Sequence, residues 1–229
     1  MSDGEHTSAW QHEHVAGSFA ERRRRLIPLL DVQEELVRTL LRRGARSVER
    51  FVDLGCGDGA MGAVVFEVFP AAHGVLVDFS EPMLERAHAR FAQADCSVEF
   101  RVADLATSAW AAELGDGGFD AIVSGFAIHH LTGAAKRALF DEVALLLAPG
   151  GQFVNVDIVE TEGPLDGLFF EYMETQAQQA GESIEFDGDE DLPDPVGDQL
   201  AWLEAAGLEQ VEVHFKWAEA AVLGAVKPL

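Results

Sequence analysis

Aspartates and glycines are the residues of this sequence whose types and spacing indicate chemistry. Asp53 is followed by three glycines at alternate positions, Gly55, Gly57 and Gly59. Alternating glycines permit positive φ angles and let the backbone approach a ligand closely. A fixed carboxylate beside such a loop repels a pyrophosphate and favours a ligand that carries an ammonium or sulfonium charge. The stretch therefore predicts a site for a cationic ligand.

The glycine spacing by itself leaves a second ligand class open. Gly55, Gly57 and Ala60 also satisfy the loose dinucleotide pattern G-x-G-x-x-A. Asp78 ends the next apolar run, and its carboxylate can accept hydrogen bonds from two ribose hydroxyls. Dinucleotide folds use this position in the same way, so Asp78 predicts a nucleoside ligand without telling the two classes apart.

The elements that must position these residues follow an alternating β/α pattern. Apolar runs predict a first strand that ends at Asp53 and further strands over residues 74–78, 97–102, 118–124 and 152–159. A late hairpin is predicted over residues 208–217 and 220–227. Helical patterns fill the intervals, which is typical of a mostly parallel sheet. The carboxyl ends of parallel strands meet at one sheet edge, so we expect the ligand there, at the start of the helix that follows the glycines.

The run from Asp53 to Gly59, Asp-Leu-Gly-Cys-Gly-Asp-Gly, resembles the first motif of the class I S-adenosylmethionine-dependent methyltransferases. The resemblance covers about Asp31 to Lys227. It implies a Rossmann-like α/β fold: a seven-stranded, mostly parallel sheet of order 3-2-1-4-5-7-6 with the last strand antiparallel, helices on both faces and a small helical cap. It further implies a methyltransferase (EC 2.1.1.-) with S-adenosyl-L-methionine as cofactor and S-adenosyl-L-homocysteine as product.

The resemblance also implies roles for the residues at the sheet edge. Asp53 would lie on the side of the methionine ammonium group, and Asp78 would accept hydrogen bonds from the ribose. Asp104, after the third strand, would accept a hydrogen bond from the adenine amino group. A nicotinamide enzyme needs neither Asp53 nor Asp104, so the three acids together favour the sulfonium nucleoside. The implied cofactor-binding residues are Asp53, Gly55, Cys56, Gly57, Asp78, Phe79, Met83, Asp104, Leu105 and Ser124.

The segment after the fourth strand resembles the part of small-molecule methyltransferases that lies beside the methyl group. Phe126 and His129 are its candidates at the reacting end, and a neutral His129 imidazole can act as a general base. His130 is a candidate for the acceptor site, and either histidine can instead have a structural role. On the helix that begins the cap, Phe169 is a candidate for the acceptor pocket and Tyr172 for catalysis.

The predicted organisation is an N-terminal tail and lid segment over residues 1–30 and a methyltransferase domain over residues 31–229, with a cap insertion at about 160–195. The resemblance implies that the N-terminal segment folds over the cofactor and the acceptor, which makes Arg25, within the run Arg22 to Arg25, a candidate for holding an acidic acceptor group. The alternative interpretation of this run is a solvated helix face paired with nearby carboxylates. His12 and His14 lack a completing Cys or carboxylate at ligand spacing, so we expect no metal. The acidic stretch after the cap helix is interpreted as a solvated loop.

Composition limits the partners. Forty acidic residues against sixteen Lys and Arg give a formal charge of −24, which opposes binding to a phosphate backbone. Nucleic acid is therefore disfavoured, a small-molecule acceptor is favoured, and a homodimer stays open. Two cysteines do not form a disulfide framework, and no apolar run reaches the length of a membrane span, so we expect a cytoplasmic protein.

Three alternatives stay open. The segment near Leu26 to Pro28 and the ending over residues 214–217 and 223–227 also resemble the carboxy-S-adenosylmethionine synthases of tRNA wobble modification. The chain has no arginine after Arg137 to serve the extra carboxylate, so the conventional methyl donor is preferred. The other two are a nicotinamide-dependent reductase and a non-catalytic partner protein that retains the cofactor pocket.

Overall fold

The computed structural model describes residues 22–44, 47–115, 117–182 and 191–229. His12 and His14 of the predicted tail lie outside these residues. None of the described helices is long and apolar enough to cross a membrane.

The described chain alternates strands with helices, as the sequence predicts. The strands are β1 (Arg50–Leu54), β2 (His73–Asp78), β3 (Ser97–Val102), β4 (Phe119–Gly125), β5 (Leu147–Ile158), β6 (Glu209–Trp217) and β7 (Ala220–Val226). The helices are α1 (22–26), α2 (Leu30–Gly44), α3 (Ala60–Val68), α4 (Glu81–Phe91), α5 (Ala109–Glu113), α6 (Gly133–Leu146), α7 (Leu168–Gln179) and α8 (Val196–Ala205), with short 3-10 helices at Ile128–His130 and Gly163–Leu165.

The seven strands form one sheet of order β3-β2-β1-β4-β5-β7-β6, which confirms the predicted fold class. β1 lies between β2 and β4 and is parallel to both, whereas β7 is antiparallel to β5 and β6. The strands β1, β2 and β4 are almost wholly buried because helices cover both faces. Two large apolar clusters fill the spaces between the sheet and these helices.

The start of β5 differs from the prediction. The predicted strand starts at Gln152, but the observed strand begins at Leu147 and includes the run Pro149-Gly150-Gly151. Leu147 pairs with Phe119, and Gln152 pairs with Ala121, so the run is accommodated as an irregularity within the strand pairing. Gly150 takes a φ of 78° there, which a residue without a side chain adopts easily.

The lid and the cap meet over the carboxyl edge of the sheet. Leu26 and Ile27 at the end of α1 share a buried apolar cluster with Phe169 and Met173 of α7, and Phe126 after β4 packs against the same cluster. The segment before α2 therefore covers the edge where the sequence places the ligand.

Candidate active site

The loop between β1 and α3 has the backbone that its glycines predict. Gly55, Gly57 and Gly59 have φ angles of 62°, 55° and 79°. A methyl group at Gly57 would lie 3.0 Å from Met83 Cε, and one at Gly59 would lie 2.7 Å from Phe91 Cε2. At Gly55 it would overlap the side chain of Ala127. The loop is thus a left-handed turn packed against its neighbours, which side chains would disrupt.

Asp53 lies beneath this loop and is fully buried. Its Oδ2 accepts a hydrogen bond of 2.7 Å from the backbone N–H of Gly62, whereas its Oδ1 has no hydrogen-bond partner among the described residues. Burial raises the pKa of Asp53 to about 8, against the lowering effect of the Gly62 N–H. An unsatisfied buried carboxyl oxygen is costly unless a ligand completes it, and a cationic group is the partner that suits it.

Asp78, at the end of β2, holds the loop in place. Its Oδ2 accepts from the N–H of Gly57 at 2.8 Å, and its Oδ1 accepts from the N–H of Ser80 at 2.8 Å. Burial raises its pKa, and the hydrogen bonds to Ser80 and Gly57 oppose that change. Each oxygen retains a second lone pair, so the carboxylate can still accept from two ribose hydroxyls.

The remaining predicted cofactor residues surround the same loop. Asp104 is exposed after β3, and its Oδ1 accepts from the N–H of Ala106 at 2.8 Å. Leu105 lies 3.7 Å from a methyl group placed on Gly55. Phe79 is half-buried beside Asp78, and Met83 is buried near Gly57.

Two of the predicted cofactor-binding residues make their hydrogen bonds within the protein interior. Cys56 is buried, its N–H donates to the carbonyl of Val77 at 2.9 Å, and burial raises the pKa of its thiol. Ser124 is fully buried, and its hydroxyl donates to the carbonyl of Leu54 at 2.8 Å. These contacts join the neighbouring strands β1, β2 and β4 at the sheet edge.

Phe126 marks the end of β4 with an unusual backbone. Its φ of 56° is in the left-handed region, which costs a residue with a side chain about 1–2 kcal/mol. Its N–H donates to the carbonyl of Val156 at 2.7 Å, and its ring stacks on Phe169 of α7 with centroids 6.3 Å apart. The strained turn therefore holds an aromatic ring between the sheet edge and the cap.

His129 is buried and has acids on both sides. Its Nδ1 is 2.6 Å from Asp157 Oδ1, and its Nε2 is 3.4 Å from Asp191 Oδ1. Burial lowers the pKa of His129, but the two acids outweigh it and raise the pKa to about 9. The ring is then an imidazolium at neutral pH. A general base must be neutral. His129 can therefore act as the predicted base only after it loses its proton, or after Asp191 moves away and no longer raises its pKa.

His130 and two acids at the end of the acidic stretch, Asp191 and Asp194, lie beside His129. His130 Nδ1 is also 3.4 Å from Asp191 Oδ1, and the two histidine rings have centroids 3.9 Å apart. Asp194 forms an ion pair of 2.6 Å with the buried Lys136. Asp191 and Asp194 are therefore anchored, so the interpretation of the acidic stretch as a solvated loop is wrong at these two positions.

The predicted acceptor residues in the lid and cap have other partners. Arg25 is exposed and pairs with Glu182 at 2.6 Å, as does Arg22 at 3.3 Å. Tyr172 packs edge-to-face on Trp217, with ring centroids 5.9 Å apart. The two arginines therefore connect the lid to Glu182 after α7, and Tyr172 connects α7 to β6.

Arg23 is the arginine of the lid that turns inward. Its side chain is 14% exposed, and it lies 3.6 Å from Glu34. Burial lowers its pKa, while Asp58, Glu34 and Asp53 favour its charge. Arg23 precedes Leu26 and Ile27 by three and four positions, so helical spacing could have placed it on their buried face.

Comparison with known proteins agrees with this geometry. A methyltransferase domain model matches residues 51–151. An uncharacterized methyltransferase of Mycobacterium tuberculosis is 37% identical over 108 residues, 47% of this chain and 50% of its own. The chain therefore spans about half the length of that relative.

Two other relatives match over more of their length. The demethylmenaquinone methyltransferase of Clavibacter sepedonicus is 30% identical, covering 72% of this chain and 67% of its own. The carboxy-S-adenosyl-L-methionine synthase of a Nitratiruptor strain is 22% identical over 94% of this chain and 91% of its own, which confirms the predicted likeness.

Solved structures share the fold. Human N-acetylserotonin methyltransferase, solved in complex with S-adenosylmethionine, superposes with a TM-score of 0.66 at 15% identity, over 96% of this chain and 58% of that one. Together with the relatives, the sheet order and the loop, this defines the class: the chain belongs to the S-adenosylmethionine-dependent methyltransferase family.

Proposed function

We propose that the protein transfers a methyl group from S-adenosyl-L-methionine to a small-molecule acceptor. The observation that carries the proposal is the buried Asp53 Oδ1, which has no partner among the described residues and lies under a loop of left-handed glycines. A cationic amino-acid group completes that oxygen, and a pyrophosphate does not.

The residues around the loop have distinct roles in this proposal. Gly55, Gly57 and Gly59 allow close backbone approach, Asp53 takes the ammonium side, Asp78 the ribose hydroxyls and Asp104 the adenine amino group. When bound, the cofactor supplies a methyl group on a positively charged sulfur. The protein then mainly has to align the acceptor and exclude water.

The acceptor side is covered by the protein's own elements. Phe126 stacks on Phe169, and α1 and α7 pack together above the sheet edge. A covered aromatic site suits a small molecule better than a macromolecule. The formal charge of −24 also opposes a nucleic-acid acceptor.

Calorimetry on the full chain tests the donor. We expect saturable binding of S-adenosylhomocysteine and none of NADH. Binding of NADH alone would overturn the proposal in favour of a reductase. A donor-labelled screen of small molecules then tests the acceptor: transfer to none of them, with the cofactor bound, would favour a non-catalytic protein.

A second donor is suggested by the carboxy-S-adenosyl-L-methionine synthase relative. Its product carries a further carboxylate, which needs a further cation. Arg22 and Arg25 are both paired with Glu182, and the sequence has no arginine after Arg137. Parallel titrations with the carboxylated and the ordinary cofactor compare the two donors, and we expect the ordinary one to bind more tightly.

Arg23 is expected to bind the cofactor's carboxylate. Its side chain is only 14% exposed, and Asp58 and Asp53 of the loop region both favour its charge. A hydrogen bond to a charged group contributes about 1.5–3 kcal/mol, so Arg23→Gln should raise the dissociation constant for S-adenosylhomocysteine about 10–100-fold.

The matched control is Arg24→Gln on the same helix. Arg24 is 66% exposed and pairs with Asp31 and Glu34. Equal losses of affinity in the two variants would show that the lid acts only through its overall charge, and the assignment of Arg23 would fail.

Asp53 predicts proton release when the cofactor binds. With a pKa of about 8, it holds a proton at pH 7 in the ligand-free protein, and an approaching ammonium group expels that proton. Calorimetry in two buffers of different ionisation enthalpy should therefore detect close to one proton released per ligand at pH 7. Affinity should rise between pH 6 and pH 7.5.

The stability of the ligand-free protein changes with pH in the opposite direction to the affinity for the cofactor. An acid whose pKa is raised by folding keeps its proton in the folded state, so the ligand-free fold loses stability as pH rises from about 4 to about 8. Asp53→Asn should remove both this loss and the proton release. Unchanged proton release in that variant would assign the proton to another group.

A further inference from the structure

His129, His130 and Asp191 bring three ligand atoms together at the covered end of the sheet. These atoms all lie within 4.8 Å of one another. We infer that the three side chains form a binding site for one divalent transition-metal ion of the zinc type. The inference goes beyond methyl transfer and does not depend on it.

The distances fit a tetrahedral ion. His129 Nε2 and His130 Nδ1 are each 3.4 Å from Asp191 Oδ1. Zinc lies about 2.0–2.1 Å from nitrogen and oxygen ligands, so neighbouring ligands of a tetrahedron are about 3.3–3.4 Å apart. An octahedral ion at the same bond length would bring them to about 2.9 Å. Two of the three ligand edges therefore already have the tetrahedral length.

Asp157 fixes the ring of His129 in the orientation that a metal needs. Its Oδ1 is 2.6 Å from His129 Nδ1 and also accepts from the N–H of Ile158 at 2.9 Å. Its Oδ2 accepts from the side-chain amide of Asn155 at 3.3 Å. A carboxylate that takes Nδ1–H leaves Nε2 as the ligand atom, and the metal ion displaces the proton that Nε2 carries in the metal-free protein.

The backbone around Asp191 is held by the histidine segment itself. The N–H of Leu192 donates to the carbonyl of His129 at 2.9 Å. Lys136 forms the ion pair with Asp194, and its Nζ also donates to the carbonyl of Leu192. The carboxylate ligand is therefore placed by contacts that do not involve a metal, which makes the site largely pre-organised.

The ligand set selects the type of ion. Two imidazoles and one carboxylate suit zinc, cobalt, iron or nickel, whereas magnesium and calcium prefer oxygen ligands. Three protein ligands leave a fourth position for water or for an acceptor oxygen, as in catalytic zinc sites. The strongly negative chain further favours cation binding.

Metal titration of the full chain tests the site. The protein is cleared of metal with a chelator and titrated with Zn²⁺, and with Co²⁺ for its visible spectrum. We expect one ion per chain and the intense absorption of tetrahedral cobalt. Asp191→Ala and His130→Gln should each abolish the band, and Asp157→Asn should raise the dissociation constant about 10–100-fold.

Control variants separate this site from other ligands of the chain. Asp198→Ala and His88→Gln remove an exposed acid and a histidine that stacks on Phe100, and both should bind as the unchanged protein does. The His12→Gln, His14→Gln double variant should also keep the band. Circular dichroism confirms that each variant is folded.

Two results would overturn the inference. One is the absence of stoichiometric binding, and the other is a band that survives both Asp191→Ala and His130→Gln. S-adenosylhomocysteine affinity is measured on the same metal-free samples. Its retention without metal binding would refute only the metal site, and its absence with metal bound would refute only the proposed function.

Discussion

Replacing Asp78 with alanine is expected to weaken S-adenosylhomocysteine binding by a factor of about 100 or more. Hydrogen bonds to a charged group contribute about 1.5–3 kcal/mol each, and the proposed site gives the carboxylate two ribose hydroxyls. The same change removes the acceptor for the N–H groups of Gly57 and Ser80, which loosens the loop as well. Calorimetry at constant pH measures the loss.

The ribose contribution can be separated from that of the loop. The protein with Asp78 should discriminate strongly between S-adenosylhomocysteine and its 2′,3′-dideoxy analogue, and the Asp78→Ala variant should bind both equally weakly. A double-mutant cycle of protein and ligand isolates the pairwise interaction. If the Asp78→Ala variant still discriminated between the two ligands as strongly, Asp78 would not be the residue that binds the ribose.

Asp120 offers a matched control at the opposite sheet edge. Its Oδ2 accepts from the N–H groups of Glu49 and Arg50 at 2.8 and 3.0 Å, so it also joins two backbone donors at a strand end. Asp120→Ala should cost some stability and leave cofactor affinity unchanged. The comparison shows whether the loss of cofactor affinity in Asp78→Ala comes from the position of Asp78 at the carboxyl edge of the sheet or from the loss of two backbone hydrogen bonds alone.

The order of strands and helices along the chain and the strand-end acids could be predicted because they depend on local patterns, whereas the sheet order was implied by the resemblance to the methyltransferases. Apolar runs ending in Asp53 and Asp78, with glycines or a capping serine after them, specify both the strand and its ligand-facing end. Asp104 follows the same rule at the end of β3. Parallel pairing then brings the ends of successive strands to one edge, without any knowledge of side-chain packing.

The histidine cluster could not be predicted in the same way, because it depends on contacts distant in sequence. Asp157 is an acid inside an apolar strand, and only the pairing of β4 with β5, which sets Gly125 beside Val156, brings it to His129. Asp191 is one of several acids in a stretch without periodicity. No pattern indicates which of them the histidines contact.

The lid shows the limit of arguing from charge alone. Four successive arginines in so acidic a chain predict a solvated helix face paired with carboxylates, and Arg25 is the candidate for an acceptor. The structure divides the run: Arg25 pairs outward with Glu182, and Arg23 is buried toward the loop. The helical register relative to Leu26 decides which arginine is buried, so apolar spacing was the more informative signal.

Replacing Gly55 with alanine is expected to have the largest effect on stability. An alanine there must adopt a φ of 62°, at a cost of about 1–2 kcal/mol, and its methyl group must displace Ala127 in a packed turn, at about 1–3 kcal/mol more. Gly55→Ala should therefore lower the free energy of unfolding by about 2–5 kcal/mol, out of the 5–15 kcal/mol typical of a domain. Urea unfolding with an unchanged m-value measures the difference.

The Gly115→Ala variant separates the cost of backbone strain from the cost of the steric contact with Ala127. Gly115 has a similar φ of 74°, but a methyl group there has nothing within 4 Å. It should cost only the strain, about 1–2 kcal/mol. If the two variants lose equal stability, the contact between the loop and Ala127 contributes nothing. If Gly55→Ala loses more, the close contact with Ala127 holds the loop against the segment that leads from Phe126 to His129.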